Sequence, residues 1–128
     1  MERNIAAFIL YDKEKRILLQ HRSDDAERFP GKWCFFGGGI EYGETALQAV
    51  KRECLEELNY KLTKPRLILK TFTPDGDTFY LFIKNYNETK KLFLGEGKAM
   101  AWFSLNMIKD LDMIPYEKNL ISEVIMKL

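Results

Sequence analysis

Residues 33–60 read WCFFGGGIEYGETALQAVKRECLEELNY, and the reading of this stretch decides the fold. Trp33 to Phe36 is a short aromatic run that predicts a strand, closed by Gly37-Gly38-Gly39. Thr45-Ala46-Leu47-Gln48 then fits a capping box, in which the Thr hydroxyl and the Gln side chain satisfy backbone donors at a helix start. The helix is predicted to run to about Leu58, with Asn59 at the position where a left-handed cap residue is wanted. At about 100° per residue, Leu47, Val50, Cys54 and Leu58 form one stripe, expected to pack on a sheet. Glu53, Glu56 and Glu57 gather on a different face, with Ala46 and Ala49 beside them and no lysine among them. Like charges at such spacing cost about 0.2–0.5 kcal/mol per pair, and a solvated face would ordinarily intersperse lysines.

That crowding has two readings. Glu-rich helix faces are common on protein surfaces and need mean nothing more. Clustered carboxylates are also the hard oxygen ligands that Mg²⁺ or Mn²⁺ prefers, and Glu44, just before the helix, is placed to join them. The glycines let backbone approach a ligand closely, since no side chain obstructs the path. Either feature alone is a weak signal; the order glycines, Glu44, Arg52-Glu53, Glu56-Glu57 within one loop and helix is a far more specific one.

Outward from this segment, Ile5 to Tyr11 and Arg16 to Gln20 read as a hairpin about the polar turn Asp12-Lys13-Glu14-Lys15. Leu67 to Phe72 and Thr78 to Tyr86 read as strands around the turn Pro74-Asp75-Gly76-Asp77, and Met100 to Phe103 as another. Ser104 is a plausible cap for a helix over Leu105 to Leu111. A last helix is expected from Pro115, with Leu120, Ile121, Val124, Ile125 and Leu128 at helical spacing. Strands and helices mix without strict alternation, which predicts an α/β or α+β layered domain with a mixed sheet.

With 128 residues and no repeat or linker, the chain reads as one domain over residues 1–128. Twenty Lys plus Arg against nineteen Asp plus Glu leave a net charge of +1, so no global field gathers a nucleic acid polymer or an anionic membrane. The longest apolar run, Ile5 to Tyr11, is far short of the roughly 20 residues of a membrane helix, and the start Met-Glu-Arg-Asn lacks the apolar core of a signal peptide. The expectation is a soluble cytoplasmic protein. Cys34 and Cys54 form neither a CxxC pair nor a disulfide framework and read as small buried hydrophobes. His21, the lone histidine, reads as a surface or hydrogen-bonded structural residue.

The segment Gly38 to Tyr60 resembles the signature of the Nudix hydrolases, with Gly38, Glu44, Arg52, Glu53, Glu56 and Glu57 at matching spacings. Trp33, the run Glu96 to Trp102 and the final helix are similar to the small MutT-type members. Cys54 and Tyr60 replace aliphatic residues, Asn59 replaces the final Gly, and Phe36 stands where a Pro commonly precedes the glycines; none of these removes a carboxylate. The resemblance implies a Nudix α/β/α sandwich with a mixed sheet, and hydrolysis of a nucleoside diphosphate linked to another group. It implies that Glu53, Glu56 and Glu57 bind Mg²⁺, or Mn²⁺, with the Gly37 carbonyl and Glu96 as further ligands. Glu53, by first choice, activates water, with Glu56 beside it in the catalytic set, and Arg52 holds the carboxylates.

For the substrate, Arg22 opens the loop Ser23 to Lys32 and suits a phosphate contact, while Gly38 offers it bare backbone. Small MutT-type members often read a base near the start of the last helix, where Glu117 and Asn119 stand here. Phe29, Phe36 and Phe79 are candidate stacking partners or simply core. The function expected is Mg²⁺-dependent hydrolysis of a (deoxy)nucleoside triphosphate, with 8-oxo-dGTP among the candidates, to monophosphate and pyrophosphate. The competing expectations are a nucleoside diphosphate sugar or dinucleoside polyphosphate hydrolase, and a nucleotide sensor without turnover. A monomer and a homodimer are both compatible with the sequence.

Overall fold

The computed structural model describes residues 4–86, 92–95 and 99–128. In chain order the elements are β1 (Ile5–Tyr11), β2 (Ile17–His21), β3 (Trp33–Cys34), β4 (Phe36–Gly39), α1 (Ala46–Leu58), β5 (Arg66–Phe72), β6 (Thr78–Asn85), β7 (Ala99–Phe103), α2 (Leu105–Ile108) and α3 (Pro115–Met126). The helix expected over Leu105 to Leu111 stops at Ile108, although Ser104 does cap it. No helix among the described residues is long and apolar enough to cross a membrane.

β1 is the spine of the sheet. It runs parallel to β6 along its whole length, Ile5 against Phe79 through Tyr11 against Asn85, whereas its pairings with β2 and β4 are antiparallel. The sheet is therefore mixed, as expected. Side chains alternate faces along a strand, so β1 sends Ala6, Phe8 and Leu10 to one side and Ala7 and Ile9 to the other. The first set packs under α1 with Phe36, Val50, Cys54 and Leu58; the second packs under α2 and α3 with Ile108, Ile121 and Val124. A strand covered on both faces must be apolar at nearly every position, which is why β1 reads as an uninterrupted run. The result is an α/β/α sandwich.

The expected strand Trp33 to Phe36 is broken. β3 pairs with β2, Gln20 against Cys34, whereas β4 pairs with β1, Phe8 against Phe36 through Ile5 against Gly39. The chain changes neighbours at Phe35, and the glycines lie within β4 and not in a loop after it. Gly37 permits this: its φ is +141°, and a Cβ there would clash with the Ala6 carbonyl and stand 2.6 Å from Ala7 Cα. Phe36 is not displaced toward a ligand but stacks on Phe8 in the core, ring centroids 5.7 Å apart.

α1 begins and ends as its sequence predicts. Thr45 Oγ1 accepts from Gln48 N at 3.1 Å while Gln48 Oε1 accepts from Thr45 N at 2.9 Å, and Asn59 takes the left-handed conformation at φ 51°. Thr45→Ala is expected to lower stability by about 1 kcal/mol, read as a shift of the urea midpoint at unchanged slope. The inward face differs from the expected stripe. Leu47 remains 41% exposed and Ala49 is fully buried in its stead, because α1 lies on side-chain-free β4 and a methyl group fills the gap. Taking Ala46 as 0°, the buried Ala49, Val50, Cys54 and Leu58 span an arc from about 300° to about 120°, and Glu53 and Glu57 fall inside it at about 340° and 20°. Two of the carboxylates therefore face the sheet, above the glycines, and are not on a solvated flank.

Candidate active site

Arg52 organises the carboxylates. Its Nε and Nη2 donate to the two oxygens of Glu44 at 2.8 and 3.0 Å, a two-pronged pairing that fits the planar guanidinium. Nη2 also donates to the Gly39 carbonyl at 3.1 Å, which ties α1 to β4. Nη1 reaches Glu53 Oε1 at 2.9 Å and Glu56 Oε2 at 3.4 Å. The Arg52 guanidinium, helped by a hydrogen bond from Glu41 N, holds the Glu44 carboxyl down at about 2, and Glu44 in turn raises the pKa of Arg52. Part of the repulsion expected among the glutamates is thus relieved by their own neighbour.

Glu53 lies against β4 so closely that a Cβ on Gly38 would come within 2.6 Å of its Oε1. Glu57 is half-buried and Glu56 exposed. Among the described residues no three His, Cys, Asp or Glu side chains stand close enough together to cage an ion as they are. The donor set nonetheless fits a hard divalent cation: carboxylate oxygens of α1 face the exposed backbone of β4, and hard oxygens are what such an ion takes. Glu96 lies outside the described residues. Gly95 just before it donates to the Glu57 carbonyl at the C-terminal end of α1.

Beside the glycines a cavity of about 140 Å³ opens between β4 and the start of α3, and its lining includes Arg22, Phe29, Phe35, Gly38, Phe79 and Glu117. Arg22 borders it as expected, with Nε donating to the Arg28 carbonyl at 2.8 Å. Glu117 also borders it, but with a structural duty the sequence did not disclose. Its Oε1 accepts from Phe35 N at 2.7 Å, while Gln20 Nε2 donates to the Phe35 carbonyl at 3.3 Å. These two side chains satisfy the backbone where β3 gives way to β4. Asn119 does not join the cavity. Two positions along a helix is a turn of about 200°, and Asn119 lies exposed in a separate groove with Leu105, Lys109 and Ser122. Phe79 is core, 1% exposed; Phe29 is the half-buried aromatic of the three at the cavity. Gln20, Arg28, Phe35 and Tyr116 are lining residues that the sequence reading missed. A glutamine inside the apolar run Ile17–His21 was the available signal for Gln20. His21 stacks on Trp33 at 4.6 Å and its Nε2–H donates to the Gly31 carbonyl, the structural role expected of it.

Burial pushes the Glu117 carboxyl up to about 8, against the lowering effects of the Phe35 amide and the Arg22 charge. Its folded pKa lies above the unfolded value, so the folded state holds the extra proton between about pH 4.5 and 8. Stability is accordingly expected to fall as pH rises through that window. Glu117→Gln, which keeps an oxygen for Phe35 N, should flatten the fall in thermal midpoint measured from pH 5 to 8.5; a slope equal to wild type would refute this. Burial likewise pushes the Cys34 and Cys54 thiols up to about 12, and both are free and buried. They are inert hydrophobes, as the sequence indicated.

Comparison with known proteins agrees with this geometry. The NUDIX domain family model matches residues 1–124. The nucleoside triphosphatase NudI of Escherichia coli strain SE11 is 27% identical over 133 aligned positions, covering 93% of this chain and 91% of that protein. Among solved structures, a MutT from a study of the Aliivibrio salmonicida and Vibrio cholerae proteins superposes with a TM-score of 0.84 at 21% identity, covering both chains completely. A Caenorhabditis elegans Ap4A hydrolase superposes at 0.75 with 19% identity over 94% of this chain and 95% of its own. Two differently named hydrolases share this architecture, so the fold alone does not choose a substrate. With the family match covering nearly its whole length, the chain belongs to the NUDIX domain family and is a hydrolase acting on a phosphoanhydride bond.

Proposed function

We propose that the protein is a Mg²⁺-dependent pyrophosphohydrolase of a (deoxy)nucleoside triphosphate, releasing the monophosphate and pyrophosphate, with oxidised purines such as 8-oxo-dGTP among its candidate substrates. The observation that carries the proposal is the placement of Glu53 over Gly38, beside a base-sized cavity whose wall continues along the same strand. The full-length similarity to a nucleoside triphosphatase supports the substrate class. The two cores share one sheet, which supports a single domain over residues 1–128, and the reduced, buried cysteines support the cytoplasm.

In this reading Glu53, Glu56, Glu57 and the Gly37 carbonyl hold Mg²⁺, with Glu96 as a further ligand. When bound, the ion lowers the pKa of a water and neutralises charge on the phosphates. Glu53 accepts the proton of the attacking water, while Arg52 fixes its other oxygen. Arg22, anchored to the Arg28 carbonyl through Nε, presents its Nη end to a phosphate oxygen. Glu117 stands at the far wall, where its second oxygen reads a base edge.

The test is phosphate release, with inorganic pyrophosphatase added, across canonical and oxidised nucleoside triphosphates, nucleotide sugars and dinucleoside polyphosphates, with and without Mg²⁺. Metal-dependent turnover of the triphosphates is expected. Turnover confined to nucleotide sugars or dinucleoside polyphosphates would replace the substrate class, and tight binding without product by chromatography would replace the enzyme with a sensor.

A further inference from the structure

Phe29 is a non-glycine residue held at φ +51°, in the left-handed region that side chains disfavour. Such strain costs about 1–3 kcal/mol and persists only where the surroundings impose it. Here the surroundings are specific. Arg28 places its guanidinium 5.6 Å from the Phe29 ring centroid, and its Nη2 is paired with Asp75 Oδ2 at 2.6 Å. Asp75 comes from the β5–β6 turn, 47 positions further along the chain, where Gly76 at φ +88° makes the bend. The Arg28 carbonyl is fixed from the other side by Arg22 Nε. The Phe29 ring stands edge-on to Tyr116, centroids 6.4 Å apart, and Tyr116 stands edge-on to Phe79 at 5.8 Å.

An ion pair whose side chains are 48% and 64% exposed adds little to stability, so its worth lies in what it orients. What it orients is one wall of the cavity, which Arg28, Phe29 and Tyr116 all border. We propose that Asp75 is a positioning residue that, through Arg28, sets which planar nucleobase the cavity accepts by fixing the Phe29 ring against Tyr116. The inference rests on the nucleotide reading above and deepens it. Without Asp75 the guanidinium is no longer anchored over the ring, and the Phe29 backbone relaxes out of the left-handed region. The gap beside Tyr116 then loses its fixed width, and with it the basis for preferring one ring over another.

Binding of AMP, GMP, CMP, UMP and ribose 5-phosphate, measured by calorimetry, tests this without requiring turnover. Wild type is expected to bind its preferred monophosphate at least about tenfold more tightly than ribose 5-phosphate. Asp75→Asn should lower that ratio about fivefold, with Asp75→Glu restoring part of it, because only the base contact is affected. Phe29→Gly should remove the preference while its thermal midpoint holds or rises, since glycine relieves the strain. Ratios in Asp75→Asn and Phe29→Gly equal to wild type would overturn the inference and leave the hydrolase reading to its own phosphate-release test. Wild type that binds every monophosphate no better than ribose 5-phosphate would overturn it too, by showing that the cavity holds no base.

Discussion

Glu53→Gln is expected to lower kcat by about a thousandfold or more and to leave the fold unchanged. Glutamine keeps an oxygen where Glu53 Oε1 accepts from Arg52 Nη1, and Arg52 retains both bonds to Glu44 and its bond to the Gly39 carbonyl. The helix start at Thr45 and the left-handed cap at Asn59 are remote from the change. What disappears is the negative charge and the ability to take a proton at the second oxygen. Turnover and thermal unfolding measured on the same preparation separate these effects: a normal midpoint with lost kcat is expected, and wild-type turnover would sink the assignment of the base. Glu44→Gln makes an informative contrast. It removes the charge that the fork of Arg52 grips, in a group held at about 2 and so ionised at any working pH, and it should loosen Arg52 from Glu53 without deleting the base. Its kcat loss is expected to be the smaller one.

What could be read from the sequence was what is decided locally. The capping box of Thr45 and Gln48, the left-handed Asn59 and the turn about Gly76 each depend on residues within a few positions of one another. β1 was legible because burial on both faces forces a continuous apolar run. The order of glycines and glutamates was legible because helical spacing and a short loop fix their proximity. The rest depends on distant partners. The break at Phe35 exists because Gln20 and Glu117, 15 and 82 positions away, serve its carbonyl and amide. Nothing near Phe35 announces that. Glu117 was picked out as a ligand-reading residue by its place in α3, and the same place lets it bind backbone; the structure shows the second use directly. Asn119 was carried along with it, yet the helix turns it away. The inward face of α1 was misassigned because periodicity alone cannot tell that the strand beneath it is glycine, so that Ala49 packs where Leu47 was expected.

The adjacent glycines of β4 should fail in opposite ways when given a methyl group. In Gly37→Ala the new Cβ would strike the Ala6 carbonyl and come 2.6 Å from Ala7 Cα, both backbone atoms of the central strand, from a residue at φ +141°. Neither can yield without breaking the pairing of Ala7 with Gly37, so a loss of about 3 kcal/mol or more is expected in denaturant unfolding. In Gly38→Ala the Cβ meets only the Glu53 carboxylate, at 2.6 Å from Oε1 and 3.0 Å from Cδ, the far end of a flexible side chain. The side chain can swing aside, so stability should change by less than about 1 kcal/mol. The carboxylate, however, would leave the position that makes it useful, and kcat should fall by about a hundredfold. One variant thus tests the sheet and the other tests the site. A Gly38→Ala protein that folds and turns over like wild type would mean that Glu53 does not work from its place above β4. A Gly37→Ala protein of normal stability would mean that β4 does not lie so close to β1.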